Sequence, residues 1–510
     1  MDLMEQCQAW NKNGEYQKII DAIEALPQAA RTPELDSELA RAYNNIATPD
    51  SREYYEKAIE LLQPHWEYFK DEHTWNFRMA YAYYYLDQEG PALRYFERAL
   101  DARPGDGDTL EFIADCRTRL ALPRFEKPFS ERRAECWDIF EQNEAELRAM
   151  LDFEDHEAVG EELIGKCDEI LSHAFGDINF EIGFNGKKYE LILTPDGDRA
   201  RLFELVYFRN RAPESLFEHW NFLVGRQASR NFELRVDDRD VPLAGKDVEV
   251  WVEKKGESTQ NTEVSLTLYC EKILPLLREN ESKAFWMLST LNDQLLGEIP
   301  AMAYIDGFEI VETPKDEPGI FLDDLPRFLE AMGLDLKISP ERFLEQSYVT
   351  YQTKANEDPD ADWRMDIFAG STRCSGLINA YIRNDGSLMD EFHRDGAVPG
   401  FICYPIGRFN GEENRGKAII DFRDSLEAAV LKEAGADAVT FIGGATGVYC
   451  GYLDFIAWDL AKVLDAAVNF LDSCPVGWAS FHTFRRDVSA VTLKSGPNEE
   501  DKVIIDETGK

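Results

Sequence analysis

A pattern of small and bulky residues between Thr74 and Asp106 constrains this chain more than any other feature. Ala92, Phe96, Ala99 and Pro104 fall there at the spacing of two short antiparallel helices that pack closely. The alanines let the two backbones approach, and the phenylalanine ring fills the space beside them. The proline ends the second helix because it cannot donate the next hydrogen bond. A chain with this pattern is expected to stack pairs of helices.

The pattern predicts helix A from Thr74 to Leu86, with Met79, Ala80 and Tyr83 inward, and helix B from Gly90 to Asp101. The segment resembles a tetratricopeptide repeat. It departs from the family at one position, because Asn76 stands where the family has tryptophan and Trp75 lies one residue earlier. Such a repeat holds another protein and performs no chemistry itself.

Two looser copies of the pattern precede this segment. The nearer copy has Leu39, Ala40 and Tyr43 in helix A and Tyr55, Ala58 and Pro64 in helix B, and the farther one has Gly14, Tyr16, Ile19 and Pro27 in helix B. Because each repeat buries its faces only against neighbours, about three units and a closing helix from Asp108 to Leu120 are needed. The resemblance covers residues 1–122.

The resemblance implies a partner-binding surface formed by the A helices. The residues expected there are Arg41, Asn44, Asn45, Thr74, Arg78, Tyr81 and Tyr84. Tyr81 to Tyr85 can equally be read as packing between repeats. Family members that grip a partner's terminal carboxylate use lysines and asparagines on three successive A helices. Since only Arg78 could match that set, we predict no such clamp.

Composition excludes several classes of partner. The 510 residues include 97 acidic and 55 basic side chains, which leave a net charge of -42. This charge repels nucleic-acid phosphates and anionic lipid, so we expect neither a nucleic-acid nor a membrane partner. The acidity can also serve solubility alone. The apolar stretch from Ala438 to Leu460 is interrupted by aspartates and glycines, and it is too broken to span a bilayer.

The cysteines and the first residues indicate the cytoplasm. Nine cysteines are dispersed without a CxxC pair, as is typical of reduced thiols packed as small apolar side chains. The sequence Met-Asp-Leu-Met-Glu-Gln at the start lacks the basic and then apolar segments of a signal peptide. We therefore expect a cytoplasmic protein.

The predicted fold is a helical superhelix followed by two α+β domains. Its boundaries are 1–122 for the repeats, 123–176 for a helical connector, 177–334 and 335–494 for the two α+β domains, and 495–510 for a mobile tail. A period of two residues and an Asn185-Gly186 turn predict a hairpin at the start of the first α+β domain.

Several further elements are predicted within these domains. We expect strands at Leu202–Phe208, Phe232–Val236 and Ala301–Ile310, and a helix at Leu453–Leu471. Both α+β domains then have the order strand, helix, strand with Trp-x-Leu in the helix, at Trp286 and at Trp458. This agreement suggests an internal duplication, although chance would explain it equally well.

A ligand site is conceivable in the last domain. Gly443, Gly444, Thr446 and Gly447 follow an apolar strand and are expected to precede a helix, whose backbone N–H groups could receive an anion. The segment lacks the dinucleotide and phosphate-loop signatures, so its glycines can also serve tight packing. His482 and Arg485 follow at the end of a predicted strand and complete this candidate site.

No catalytic residue, metal site or cofactor is predicted. Asp358, Asp360 and Asp362 alternate like the first ligands of a calcium loop, but Trp363 stands where that loop needs glycine. Cys450, His482 and Asp454 could form a nucleophile, a base and an orienting carboxylate. Packing for Cys450 and a helix-start position for Asp454 are the simpler interpretations.

The sequence therefore favours a cytoplasmic interaction protein. The repeats would capture a protein or peptide, and the chain would act as a scaffold, an adaptor or an antitoxin-like partner. The alternative is an enzyme or small-molecule binder with its site in the last domain. If Thr446, Cys450, His482 and Arg485 converge in one cleft, the structure favours the alternative.

Overall fold

The first third of the chain is built from α-helices. The computed structural model describes residues 2–48, 51–153, 155–229, 234–236, 241–255 and 263–496. In the described residues up to 172, the helices are α1 (Leu3–Lys12), α2 (Tyr16–Glu24), α3 (Pro33–Ile46), α4 (Arg52–Leu62), α5 (Trp66–Phe69), α6 (His73–Tyr85), α7 (Glu89–Ala102), α8 (Gly107–Ala121), α9 (Phe129–Leu151) and α10 (His156–Ser172).

Six of the first eight helices pack as three successive pairs. Helix α1 packs on α2, α3 on α4, and α6 on α7, while α8 covers α7. The first helices of the pairs also touch one another, α1 with α3 and α3 with α6. Each pair is thereby covered by the next, as a helical repeat requires. The helices expected at Thr74–Leu86, Gly90–Asp101 and Asp108–Leu120 are confirmed.

The small residues of the pattern lie at the contact between helices. Ala92, Phe96 and Ala99 are fully buried in α7. The ring of Phe96 stacks on Phe112 of α8 with the ring centroids 4.8 Å apart. The sequence pattern therefore identified the close approach of α6, α7 and α8.

Further α-helices and strands follow in the described residues. The helices are α11 (Arg201–Arg209), α12 (Leu274–Glu279), α13 (Glu281–Leu296), α14 (Glu298–Tyr304), α15 (Leu325–Ala331), α16 (Pro340–Gln346), α17 (Ser375–Arg383), α18 (Ser387–Asp395), α19 (Arg415–Ala434) and α20 (Leu460–Ser473). The strands are β1 (Asn179–Phe184), β2 (Tyr189–Thr194), β3 (Trp220–Val224), β4 (Leu234–Val236), β5 (Val241–Leu243), β6 (Glu249–Lys255), β7 (Glu263–Tyr269), β8 (Ile305–Ile310), β9 (Ile320–Phe321), β10 (Val349–Gln352), β11 (Ile367–Thr372), β12 (Val398–Pro405), β13 (Val439–Gly447), β14 (Cys450–Ala457), β15 (Ala479–Thr483) and β16 (Val491–Lys494).

These elements form two compact units that do not follow the order of the chain. Residues 1–131 and 350–510 make the first unit, so the repeats and the last segment belong together. Residues 132–349 make the second unit. The helical repeats are thus followed by α+β regions, as the sequence predicted.

The second unit contains two main sheets. A three-stranded sheet has the order β1-β2-β3, with the hairpin β1–β2 antiparallel and β3 parallel to β2. Trp137 of α9 is buried and stacks on Phe208 of α11 with centroids 4.5 Å apart. A four-stranded sheet has the order β8-β7-β6-β9, and buried side chains of α13 such as Met287 and Leu291 share its core.

The last segment of the first unit forms a seven-stranded sheet with the order β10-β11-β13-β14-β12-β15-β16. From β11 to β16 every neighbouring pair is antiparallel. One face of the sheet packs its apolar side chains, including Ile402, Leu453 and Phe481, with residues of α19 and α20.

Three predicted elements differ from the observed structure. Leu202–Phe208, expected as a strand, lies in α11, where every one of these residues is buried. This segment has no exposed polar face, so periodicity cannot tell a strand from a helix. Ala301–Ile310 divides into α14 and β8, and Leu453–Leu471 divides into β14 and α20.

The two halves of the proposed duplication differ in structure. Trp286 lies within α13 and is 60% exposed, whereas Trp458 is fully buried between β14 and α20. The segment Ala301–Tyr304 is helical, while the matching segment contains β15. Both halves still contain a strand, a helix and a strand in that order, with β7, α13 and β8 in one and β14, α20 and β15 in the other, so the duplication stays a prediction. Two predicted segments extend beyond the described residues. They are the tail 497–510 and residues 232–233 of the strand predicted at Phe232–Val236.

The buried alanine of α7 generates a first prediction. The substitution Ala99→Leu adds volume where α7 has no free space, and it should lower the free energy of unfolding by about 1–3 kcal/mol. Ala102→Leu, at an exposed position of the same helix, is the matched control and should change it little. Urea denaturation measures both, and equal losses would contradict this helix packing.

Candidate functional site

The strongest candidate site is a row of aromatic side chains on the repeats. Phe77, Tyr81, Tyr84 and Tyr85 of α6 follow one another at helical spacing and therefore share one side of the helix. Phe112 of α8 joins them. We call these five residues the aromatic face. Tyr85 is 38% exposed and the other four are half-buried.

The five rings form one continuous group. The centroids of Tyr81 and Tyr85 are 4.6 Å apart, and those of Tyr84 and Phe112 are 4.9 Å apart. Phe112 also meets Phe77 at 5.8 Å and Tyr81 at 5.9 Å, both edge to face. Edge-to-face packing fixes the rings while leaving part of their surfaces toward solvent.

One arginine is already bound to the aromatic face. The guanidinium of Arg119 lies 4.8 Å from the centroid of Tyr84, within the range of a cation–π interaction. Its Nε is 2.7 Å from a carboxylate oxygen of Asp115, and its Nη1 is 3.2 Å from one of Glu89. The Tyr84 hydroxyl donates a hydrogen bond of 2.6 Å to Asp115.

Tyr81 and Tyr84 of this face remain protonated at neutral pH. Burial, and then the hydrogen bond to Asp115, raise the pKa of Tyr84 well above its ordinary value of 10. Burial and the hydrogen bond to Tyr85 raise the pKa of Tyr81 in the same direction. These two residues therefore present hydroxyl groups rather than phenolates.

Two predicted partner residues, Asn44 and Arg78, instead connect α3 to α6, and a third, Arg41, forms an ion pair within α3. Arg78 donates to the Ser37 carbonyl at 2.8 Å and to the Glu38 carboxylate at 2.9 Å. The Asn44 amide donates to the Arg78 carbonyl at 3.0 Å, and Arg41 pairs with Glu38. Asn44 and Arg78 are buried, so both residues hold the repeats together.

The remaining predicted partner residues divide between two places. Tyr81 and Tyr84 belong to the aromatic face. Thr74 is exposed at the start of α6, and Asn45 is exposed on α3, where its amide lies 3.5 Å from Asn11. The sequence reasoning did not select Phe77, Tyr85, Phe112 or Arg119. The spacing of four residues from Tyr81 could have identified the first two, whereas Phe112 and Arg119 required the packing of α8.

The glycine-rich segment lies inside the sheet and not before a helix. Gly443, Gly444, Thr446 and Gly447 are part of β13, paired with β11 and β14. A Cβ atom on Gly443, whose φ is +147°, would collide with the Ser371 carbonyl, and one on Gly447 would collide with the Asp366 carboxylate. The expected helix N-terminus is therefore absent here, and these glycines allow the close approach of their neighbours.

His482 is a buried residue of β15. Its ring stacks on Phe401 at 5.0 Å, and its Nε2 lies 3.1 Å from the Ser480 hydroxyl. Strands β14 and β12 separate β15 from the glycine-rich β13, which corresponds to roughly 14 Å at the usual strand spacing. The glycine-rich segment and His482 thus do not line a common cleft.

The residues considered as nucleophile, base and orienting carboxylate each have different partners and do not contact one another as a triad would. Asp454 is fully buried, and Arg364 binds both of its oxygens, at 2.5 and 3.0 Å. Cys450 is buried, and its backbone N–H donates to Asp366 at 3.1 Å. Since His482 faces Ser480, the geometry provides no relay from Asp454 to His482.

Arg485 lies in an ion cluster between α7 and α18. The two oxygens of Asp390 are held by Arg94 of α7 and by Arg485. A Cβ atom on Gly90 would overlap this carboxylate, so the glycine in α7 makes the contact possible. A cleft of about 100 Å³ beside the cluster is lined by arginines and carboxylates in equal number, which provides no net charge for a small ion.

The described ranges contain no group of three histidine, cysteine, aspartate or glutamate side chains arranged to hold a metal ion. Among the helices of the same ranges, none is both long and apolar enough to cross a bilayer.

Comparison with known proteins adds no relative: no protein-family model matches the chain, and no curated protein matches it. The geometry of the chain itself is therefore the basis for a functional proposal.

The burial of His482 predicts a pH effect on stability. Burial, and then the charge of Arg364, lower the pKa of His482 to about 3. In the unfolded chain the same histidine binds a proton near pH 6.5. The contribution of neutral His482 to the free energy of unfolding is therefore complete above pH 6.5 and is lost as the pH falls toward 3. Between pH 6 and pH 4 the free energy of unfolding of the wild type falls as the pH is lowered. In His482→Phe this fall should be smaller by about 1.4 kcal/mol per pH unit.

Urea titrations at several pH values measure this slope. The control His173→Phe, at an exposed histidine, should leave the slope unchanged. If both variants retain the wild-type slope, His482 is not held neutral in the folded protein.

The cysteines differ in accessibility, which predicts an order of labelling. Cys474 is partly exposed, whereas the other eight cysteines, including Cys450, are buried. Because a thiol must reach the reagent to react, iodoacetamide near neutral pH should modify Cys474 first and Cys450 slowly. Peptide mass spectrometry gives the order, and Cys474→Ser should remove the fast phase. Rapid selective modification of Cys450 would contradict this packing.

Proposed function

We propose that this protein binds a partner protein or peptide through the aromatic face, and that it acts in the cytoplasm as a scaffold or adaptor of tetratricopeptide type. The observation that carries the proposal is the group of five ring-packed residues that remains half-exposed on α6 and α8. Tyrosine, other aromatic residues and arginine are enriched at protein interfaces, and tyrosine and arginine supply much of their binding energy.

The position of the rings supports this proposal. Folding accounts for Ala92, Phe96 and Ala99 because they are fully buried. Tyr85 stacks on the buried Tyr55 of α4 with the ring centroids 5.3 Å apart, yet 38% of Tyr85 remains exposed. Contiguous aromatic surface of this kind is typical of a binding site. Helices α6 and α8 are held by the buried contacts of Phe96 and Ile113, so the face is presented on a rigid support.

The alternative of a small-molecule site in the last segment is less well supported. The residues expected to converge are separated by the sheet, as the positions of Gly443 and His482 indicate. Asp454 and Arg485 are committed to buried ion pairs. No specific geometry favours chemistry at these positions.

Substitution of the exposed tyrosines tests the proposal. The double variant Tyr84→Ala, Tyr85→Ala should lose capture of the native partner by at least about tenfold, because truncation of interface tyrosines commonly costs more than 1 kcal/mol each. Affinity capture from native lysate, quantified by mass spectrometry, measures the loss. The melting temperature should show that the variant remains folded.

Tyr68→Ala is the matched control. Tyr68 lies in α5, is 64% exposed and is outside the aromatic face, so its truncation should leave capture unchanged. If the double variant captures the same proteins at wild-type levels, the aromatic face is not the binding surface.

A further inference from the structure

The charges around the aromatic face specify the chemistry of its partner. Helix α8 carries Asp108 and Asp115 on the same side as Phe112, one turn before and one turn after it, and Glu111 is adjacent. Glu89 of α7 is in contact with Arg119. Asp115 and Glu89 are paired with Arg119, whereas Asp108 and Glu111 are exposed acidic residues on the helix that carries Phe112.

The repeats already hold cations on ring surfaces in several places. Arg98 lies 4.5 Å from the centroid of Trp66 and 5.3 Å from that of Tyr95. Lys57 lies 5.5 Å from the centroid of Tyr43. Arg119 repeats this arrangement on Tyr84 and adds two carboxylates. An arginine is therefore a side chain that this surface can bind in this geometry.

We infer that the partner segment is a basic peptide rich in arginine, whose guanidinium groups stack on the exposed rings and pair with the acidic residues of α8. This inference rests on the function proposed above and adds the chemistry of the partner. Tyr85 and Tyr81 offer ring surface beside the one that Arg119 covers. The net charge of -42 attracts such a segment over a distance and repels acidic competitors.

Arg119 then has a second role as an internal competitor. It occupies the ring of Tyr84 and neutralises part of the charge of Asp115. A partner arginine must share or displace these contacts. Removal of Arg119 should accordingly strengthen binding, which is the opposite of the effect expected for a residue that contacts the partner favourably.

The test uses a fluorescein-labelled nonapeptide of alternating arginine and alanine, titrated with the full chain at moderate salt and followed by fluorescence anisotropy. A glutamate–alanine peptide of the same length is the negative probe. The wild-type protein should bind the arginine peptide and not the glutamate peptide. Absence of binding to the arginine peptide overturns the inference.

Variants separate recognition by the face from general attraction to an acidic protein. Tyr84→Ala with Tyr85→Ala, and separately Asp115→Asn, should weaken the binding about tenfold. Tyr84→Phe with Tyr85→Phe keeps the rings and should retain binding. Arg119→Ala should tighten it. The control Glu412→Gln with Glu413→Gln removes two exposed carboxylates outside the repeats, one more than Asp115→Asn, and should still remain within about twofold of the wild type.

Each contrary outcome is decisive. If the Glu412 and Glu413 control loses as much binding of the arginine peptide, the peptide responds only to the total charge of the protein, and the inference is overturned. In a second outcome, capture of the native partner depends on Tyr84 and Tyr85, but binding of the arginine peptide does not depend on them. This outcome overturns the inference that the partner is basic, while the proposed function stands. If the tyrosine variant loses neither capture of the native partner nor binding of the arginine peptide, both the inference and the proposed function are overturned.

Discussion

The carboxylate of Asp390, held between Arg94 and Arg485, links the two ends of the chain into one compact unit. A stack of helical repeats leaves the outer side of its last helices uncovered, and that surface must be buried against something else. Here the segment that contains α18 and β15 covers α7 and α8. The buried Arg485 and the partly exposed Arg94 both pair with this carboxylate, and the charge of Arg485 would be costly to leave unpaired.

This attachment divides the surface of the repeats between two tasks. The side of α7 that contains Gly90 contacts Asp390, and Val488 joins the apolar cluster of Ile113 and Leu120. The aromatic face of α6 and α8 does not take part in the ion cluster. One side of the repeats therefore stabilises the protein, while another retains half-exposed rings and a surplus of carboxylates. The separation lets rigid support and the proposed binding surface coexist in so few helices.

The polar residues of the seven-stranded sheet serve its packing. Arg364, with a φ of +67°, extends beneath the sheet, binds Asp454 with both ends of its guanidinium, and lies 4.8 Å from the ring of Phe401. Asp366 accepts hydrogen bonds from the backbone of Tyr449 and Cys450. His482 is kept neutral in this environment. A buried layer of this kind must satisfy every polar group, which limits the freedom of its residues to act on a ligand.

The amino-acid sequence was enough to predict the paired helices of the N-terminal region, because close packing of α6, α7 and α8 requires small residues at fixed spacing, and Ala92 and Ala99 provide them. It also identified Tyr81 and Tyr84, since helical periodicity places residues on a common side. Tertiary structure decided the rest. The apolar run Leu202–Phe208 became helix α11, and the glycines of β13 became contact points between strands, because residues buried on every side carry no periodic signal. Only folding brought Phe112 and Arg119 to the tyrosines and Asp390 to Arg94, since 296 residues separate the last pair and local sequence contains no record of such a contact.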